Sequence, residues 1–279
     1  MTYKTILVHV DESERSNFRV RLAAEIAKGD AAHLIGTAVT GVSRFIYQDG
    51  NISANDPNLT IHLKYLRERA EKAVANFNRQ AESVGLDSYE SLIANDEAGG
   101  GIGLQARYSD LVIIGQTNRD EPSPSVLPDF PEYLIMNAGR PVLIIPYVGD
   151  FTSVAKRPLI AWDASREATR AITDAIPLLK RAELVQVAIF NSKSVPDAHG
   201  EQPGSDIALY LARHGIKVEV SVHKTNTDIG NALLSLAHDV DSDMLVMGGY
   251  GHSRFREMIM GGVTRTILES MTVPVLMSH

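Results

Sequence analysis

The sequence predicts an α/β chain of two tandem, doubly wound domains, each built on a five-stranded parallel sheet. Two observations carry that prediction. The first is an internal repeat. Thr5-Ile6-Leu7-Val8-His9-Val10-Asp11-Glu12-Ser13 resembles Arg157-Pro158-Leu159-Ile160-Ala161-Trp162-Asp163-Ala164-Ser165. Ser109-Asp110-Leu111-Val112-Ile113-Ile114-Gly115 resembles Ser242-Asp243-Met244-Leu245-Val246-Met247-Gly248. Arg140-Pro141-Val142-Leu143-Ile144-Ile145 resembles Thr272-Val273-Pro274-Val275-Leu276-Met277 once the prolines are aligned. The second is alternation. In each copy, short continuous apolar runs alternate with stretches of helical period, as parallel strands covered on both faces by helices require.

In order along the first copy, strands are expected near 4–10, 33–39, 88–94, 110–115 and 141–146. In the second they are expected near 157–162, 183–190, 217–223, 243–248 and 273–277. Between Ile61 and Ser83, Leu63, Leu66, Ala70, Ala73, Val74 and Phe77 share one helical face. Asp11 and Asp163 stand 152 positions apart, but Asp110 and Asp243, like Pro141 and Pro274, stand 133 apart. The first copy therefore carries about 19 extra residues in its middle, most of them in a Gly/Ser/Asn-rich stretch around 41–60 that reads as a long loop. The domains are expected at 1–148 and 154–279, joined through Tyr147–Ser153 and related by a pseudo-twofold.

Composition narrows the function. The 279 residues are 44% hydrophobic and 22% charged, which suits about two globular domains. There is no cysteine, so neither disulfides nor thiolate chemistry is available. The first residues do not read as a signal peptide, and no apolar run reaches membrane-spanning length. A cytoplasmic protein that binds no membrane is the expectation. The net charge of −7 and the lack of a basic stripe argue against nucleic acid as a partner. An anionic ligand would gain no long-range attraction, so its site must be built locally.

The sharpest local signal follows the strand at 243–248. Gly248, Gly251 and Gly261 are spaced as Gly-x2-Gly-x9-Gly, with Gly262, Val263 and Thr264 next. Glycines after a strand let backbone approach a ligand closely. The second cluster opens an apparent helix, whose free N–H groups favour an anion such as phosphate, and the Thr264 hydroxyl is placed to add a hydrogen bond. His252, Arg254 and Arg256 lie in the same loop, either as phosphate contacts or as a solvated charged surface.

On these residues the chain resembles the universal stress protein family in its tandem form, over nearly its whole length. Nucleotide-binding members carry Gly-x2-Gly-x9-Gly-Ser/Thr after the fourth strand and an Asp at the end of the first, positions filled here by Gly248, Gly251, Gly261 and Asp163. The resemblance implies an adenine nucleotide alpha hydrolase-like fold. It implies ATP, or AMP or ADP, bound in the second copy, with Mg accompanying the nucleotide rather than required by the sequence. It places Asp163 on the adenine or ribose side. Ala161 and the backbone near Ile189 and Phe190 border the base. Gly262 stands where the family has Ser or Thr, so one hydroxyl contact is missing there. Trp162 either stacks on the base or fills the sheet. The implied role is a stress-response regulator with no or slow hydrolysis and no catalytic residue.

The first copy keeps Asp11 but replaces the loop. Gly251 aligns with Asn118, Gly261 with Pro128, Gly262 with Asp129 and Thr264 with Pro131. Prolines remove N–H donors and carboxylates repel phosphate, so no nucleotide site of this type is expected there. That copy is left with a structural role or a different ligand. Gly99–Gly103 is read as a loop before a helix rather than a dinucleotide fingerprint, and Ser13 and Ser165 as helix N-caps. The histidines show no metal-ligand spacing. Two other functions stay open: a nucleotide-independent interaction module and a hydrolase of adenylated substrates. The short apolar strands 142–145 and 275–277 are expected to pair between the copies, with homodimerisation left open.

Overall fold

The computed structural model describes residues 2–42, 57–151, 153–191, 202–251 and 262–279. Two compact units form: Tyr3–Arg140, and Pro141–His279 together with Met1–Thr2. The first holds β1 (Thr5–His9), α1 (Ser16–Asp30), β2 (His33–Val39), α2 (Pro57–Ser83), β3 (Tyr89–Ala94), α3 (Ala98–Ala106), β4 (Leu111–Gly115) and α4 (Phe130–Asn137). Its strands run parallel in the order β3-β2-β1-β4. The central β1 and β4 are apolar and buried, whereas the edge strand β3 alternates in exposure.

The second unit holds β5 (Val142–Ile145), β6 (Pro158–Ala161), α5 (Arg166–Leu179), β7 (Val185–Phe190), α6 (Ser205–Arg213), β8 (Val218–His223), α7 (Ile229–Asp239), β9 (Met244–Gly248), α8 (Val263–Ser270) and β10 (Val275–Ser278). Its order is β5-β10-β9-β6-β7-β8. The pairings β10–β9, β9–β6, β6–β7 and β7–β8 are parallel, and β5 lies antiparallel to β10 with Val142 opposite Met277. The terminal strands of the two copies thus pair with each other. The strand that closes the first repeat in sequence is completed by the last strand of the second.

The Ser-Asp pair repeated before β4 and β9 has a structural task. The Asp110 carboxylate accepts from the backbone N–H of Lys4 at 2.7 Å and of Thr5 at 3.0 Å, tying the start of β1 to β4. Asp243 accepts from Lys156 at 2.8 Å and Arg157 at 2.9 Å, tying the start of β6 to β9. In each copy one carboxylate satisfies two donors that the sheet leaves unpaired at its amino end.

The glycines at 99–103 lie within α3 rather than in a loop before it. Helix propensity is overridden by packing. A Cβ on Gly99 would come within 2.8 Å of the Tyr133 ring, and one on Gly101 within 3.3 Å of Ala94 and Asp96. The absent side chains let α3 settle against α4 and the sheet. Among the described residues, no helix is long and apolar enough to cross a membrane.

Asp110→Ala and Asp243→Ala each remove the acceptor of two backbone donors, and each is expected to destabilise its unit by about 2 kcal/mol. Urea unfolding of the single and double variants checks this. Similar, additive losses are expected, because the two clips share no partner.

Candidate functional site

In the second unit the strands β7, β6 and β9 are neighbours, and the chain leaves their carboxyl ends through three turns that hold most of the sequence-predicted positions. Ala161 ends β6, and the Trp162 N–H extends the ladder to the Ala188 carbonyl at 2.9 Å. Asp163 is exposed at the rim, its carboxylate fixed by the Ser165 N–H at 3.0 Å. Ser165 then caps α5, accepting from the Ala168 N–H at 3.1 Å.

Gly248 ends β9 against the first turn of α5. A Cβ there would lie 2.6 Å from the Ala168 nitrogen and 2.7 Å from the Glu167 carbonyl carbon. Only glycine allows this helix N-terminus to sit on the strand end. Gly251, three residues on, faces the Glu167 side chain, and a Cβ there would lie 2.9 Å from Oε2. Gly262 is the extended N-cap residue of α8, followed by Val263 in its first turn. The Thr264 hydroxyl is buried and accepts from the Tyr250 N–H at 3.3 Å, so it joins the start of α8 to the glycine turn. Gly261, His252, Arg254 and Arg256 lie outside the described residues.

Ile189 and Phe190 are held differently. The Ile189 side chain is fully buried beneath Gly204, so only its backbone reaches the cleft end. Phe190 stacks on His223 with centroids 5.1 Å apart, and Asn191 exchanges two hydrogen bonds of 3.1 Å with the backbone of Thr225. Three non-glycine residues adopt left-handed conformations where the chain leaves these strands: Ala164 (φ 61°), Asn191 (φ 51°) and Tyr250 (φ 55°). For alanine and tyrosine this conformation costs roughly 1 kcal/mol or more each. In the first unit no described residue following β1, β2 or β4 has a positive φ except Gly41.

Sequence reasoning missed Glu167, His223 and the Asn191 clamp. A signal for Glu167 was present: the 152-residue offset aligns it with Arg15, a reversal of charge between copies.

The first unit uses the same strand ends for internal packing. Arg19 is buried, donating from Nε to the His9 carbonyl at 2.7 Å and from Nη2 to Asp11 at 2.9 Å. Its Nη1 lies 2.5 Å from where a Cβ on Gly115 would be, so this glycine makes room for a guanidinium. Ser13 is not the cap of α1, which begins at Ser16. Its hydroxyl and N–H bind Asp11, and Ser16 accepts from the Asp11 N–H. The proline segment folds back so that Ser125 meets Gly41, and a cavity of about 20 Å³ remains, lined in part by Asp11, Val39, Arg69 and Ser123. That is room for about one water molecule. An ion pair of 2.9 Å between Arg69 and Glu12 lies over it.

Burial holds the His9 imidazole down at about 4, with Asp11 opposing and Arg19 adding to the shift. Burial alone would raise the Asp11 carboxyl, but Arg19, then His9 and the Ser13 bonds, hold it well below the carboxylate range. Among the described residues, no group of three or more His, Cys, Asp or Glu side chains is arranged to hold a metal.

Residues 2–146 and 155–279 each match the Universal stress protein family. The chain is 26% identical over 145 residues to universal stress protein Slr1230 of Synechocystis, a match covering 52% of this chain and 49% of that protein. It thus spans about half the length of that relative. The fold is similar to a universal stress protein from Archaeoglobus fulgidus at TM-score 0.74 and 18% identity, covering 98% of this chain and 95% of the other. It is also similar to a functionally unknown protein, PA1789, from Pseudomonas aeruginosa at TM-score 0.61 and 14% identity, covering 99% and 92%.

Two measurements test the site. Gly248→Ala pushes a methyl into backbone and is expected to cost about 2–3 kcal/mol, more than Gly115→Ala, which meets a side-chain atom, Arg19 Nη1, rather than backbone. Chemical denaturation ranks the two. The second concerns acid. Because folded His9 titrates near 4 and an unfolded histidine near 6.5, the unfolded chain takes the proton first as pH falls. Stability is therefore full above 6.5 and drains between 6.5 and 4, by about 3 kcal/mol in all. His9→Gln is expected to flatten that slope in melts recorded from pH 7 to 4.5.

Proposed function

The chain belongs to the universal stress protein family, and from that premise we propose that its second unit binds an adenine nucleotide as a regulatory ligand. The observation that carries this reading is the apposition of glycines and helix starts at one strand end. Gly248 seats the first turn of α5 on β9, and Gly262 opens α8 beside it. Helix N-termini present unpaired N–H groups and a positive dipole end, which suit phosphate. The left-handed residues Ala164, Asn191 and Tyr250 support it, because strain is retained where function over-determines the backbone.

In this reading Asp163 accepts from ribose hydroxyls or the base. Ala161, Ile189 and Phe190 present backbone to the adenine. Gly248, Gly251, Gly261, Gly262, Val263 and Thr264 surround the phosphates. ATP, ADP and AMP share these features, and Mg arrives with the nucleotide. The first unit takes no nucleotide: Arg19 fills the space beside Gly115, and prolines open α4 where donors are needed. The protein acts in the cytoplasm, with slow hydrolysis at most, through the surface that the second unit presents when loaded. A nucleotide-independent interaction role is favoured by one feature, the Glu167 carboxylate standing against Gly251.

Mass spectrometry of small molecules released on denaturation, followed by calorimetry with ATP, ADP and AMP, tests the proposal. One site per chain is expected, weakened about tenfold by Asp163→Ala. A folded protein that releases no nucleotide and binds none of the three would refute it.

A further inference from the structure

The Glu167 carboxylate is set against the glycine turn, on which the His279 imidazole also rests, its Nδ1 3.0 Å from the Gly249 carbonyl oxygen. The Glu167 Cβ lies 2.8 Å from the Cβ position of Gly248, and its Oε2 lies 2.9 Å from that of Gly251. The side chain is only 11% exposed. Its ion-pair neighbour, Arg166, sits at 4.0 Å with a side chain 97% exposed, so solvent screens that pairing. Glu167 is held by its own helix: a carboxylate in the first turn of α5 is favoured by the dipole that would also favour phosphate. The two anions therefore compete for the same positive end. In the first unit the aligned residue is Arg15, whose guanidinium lies 4.8 Å from the Phe18 ring centroid.

We propose that Glu167 is a specificity-determining residue of the second unit's cleft, a charge filter that favours adenosine and cation-bridged nucleotides over free polyphosphates. This rests on the nucleotide reading given above. A carboxylate close to the phosphate side opposes each added phosphate charge. A divalent cation carried in by the nucleotide removes the opposition by lying between the two anions. The protein then distinguishes Mg-ATP from free ATP through one side chain, and its occupancy follows magnesium as well as nucleotide.

Calorimetry of the full chain with adenosine, AMP and ATP, each in EDTA and in magnesium, tests this on wild type, Glu167→Gln and Glu167→Asp. In EDTA, Glu167→Gln is expected to tighten ATP by about tenfold and to leave adenosine within about twofold. Magnesium is expected to shrink the ATP gain to about threefold or less. Glu167→Asp, which keeps the charge, is expected to keep the magnesium dependence. Circular dichroism confirms that the variants are folded. If ATP and adenosine respond equally to Glu167→Gln, or if wild type binds ATP equally with and without magnesium, the filter is refuted while nucleotide binding stands. If no folded variant binds adenosine, AMP or ATP, the nucleotide reading fails and the filter falls with it.

Discussion

The architecture of each cleft depends on a missing side chain at the end of one strand. Gly115 and Gly248 occupy equivalent places, at the carboxyl ends of β4 and β9, and each is pressed from above. At Gly248 the intruder is backbone, the first turn of α5, which brings a helix N-terminus down onto the sheet. At Gly115 it is the Arg19 guanidinium, which brings a fixed positive charge. The same vacancy in the steric map is used once to present polar donors outward and once to neutralise a carboxylate inward.

The inward solution is costly to assemble and hard to disturb. Arg19 and His9 are withdrawn from water and Asp11 is half-buried beside them, so the attraction between Arg19 and Asp11 must offset their lost hydration. Serine hydroxyls and backbone groups take up the remaining hydrogen-bonding capacity around Asp11, which is how a buried pair becomes tolerable. Beside these charges a cavity of about 20 Å³ remains, bounded in part by Ser123 and Ser125 of the folded-back proline segment. The outward solution leaves Asp163 at the surface and stores its cost in backbone conformation instead, at Ala164 and Tyr250.

Most of the fold was legible because it is written in periodicity. The ten strands among the described residues fall within about two residues of the apolar runs, since buried parallel strands admit few polar residues. The repeat offset located the glycine turn and its loss in the first copy. What was illegible depends on side chains meeting across long sequence separations. No pattern states that Arg19 lies beside Gly115, that Gly99 makes way for Tyr133, or that Ser13 turns back to Asp11 instead of capping a helix. The glycines of α3 show the difficulty well: by propensity they signal a loop, and only the neighbours Tyr133, Ala94 and Asp96 explain why a helix keeps them. Glu167 was passed over for a related reason, because a glutamate in the first turn of a helix is ordinary until its neighbour is known to be the glycine turn.

The pairing of β5 with β10 bears on how the chain assembles. Val142 pairs with Met277, 135 residues further along, and the two strands lie antiparallel. Every other strand pairing in the described sheet joins segments less than about 110 residues apart. During synthesis the first repeat can condense around β1, β2, β3 and β4, but β5 must wait with an unsatisfied edge until β10 has emerged. Loop closure over that distance is slow, and an apolar edge held open invites pairing with the β5 or β10 of another chain. The contact that ties β5 to β10 in the finished protein is thus among the last strand pairings that synthesis makes available.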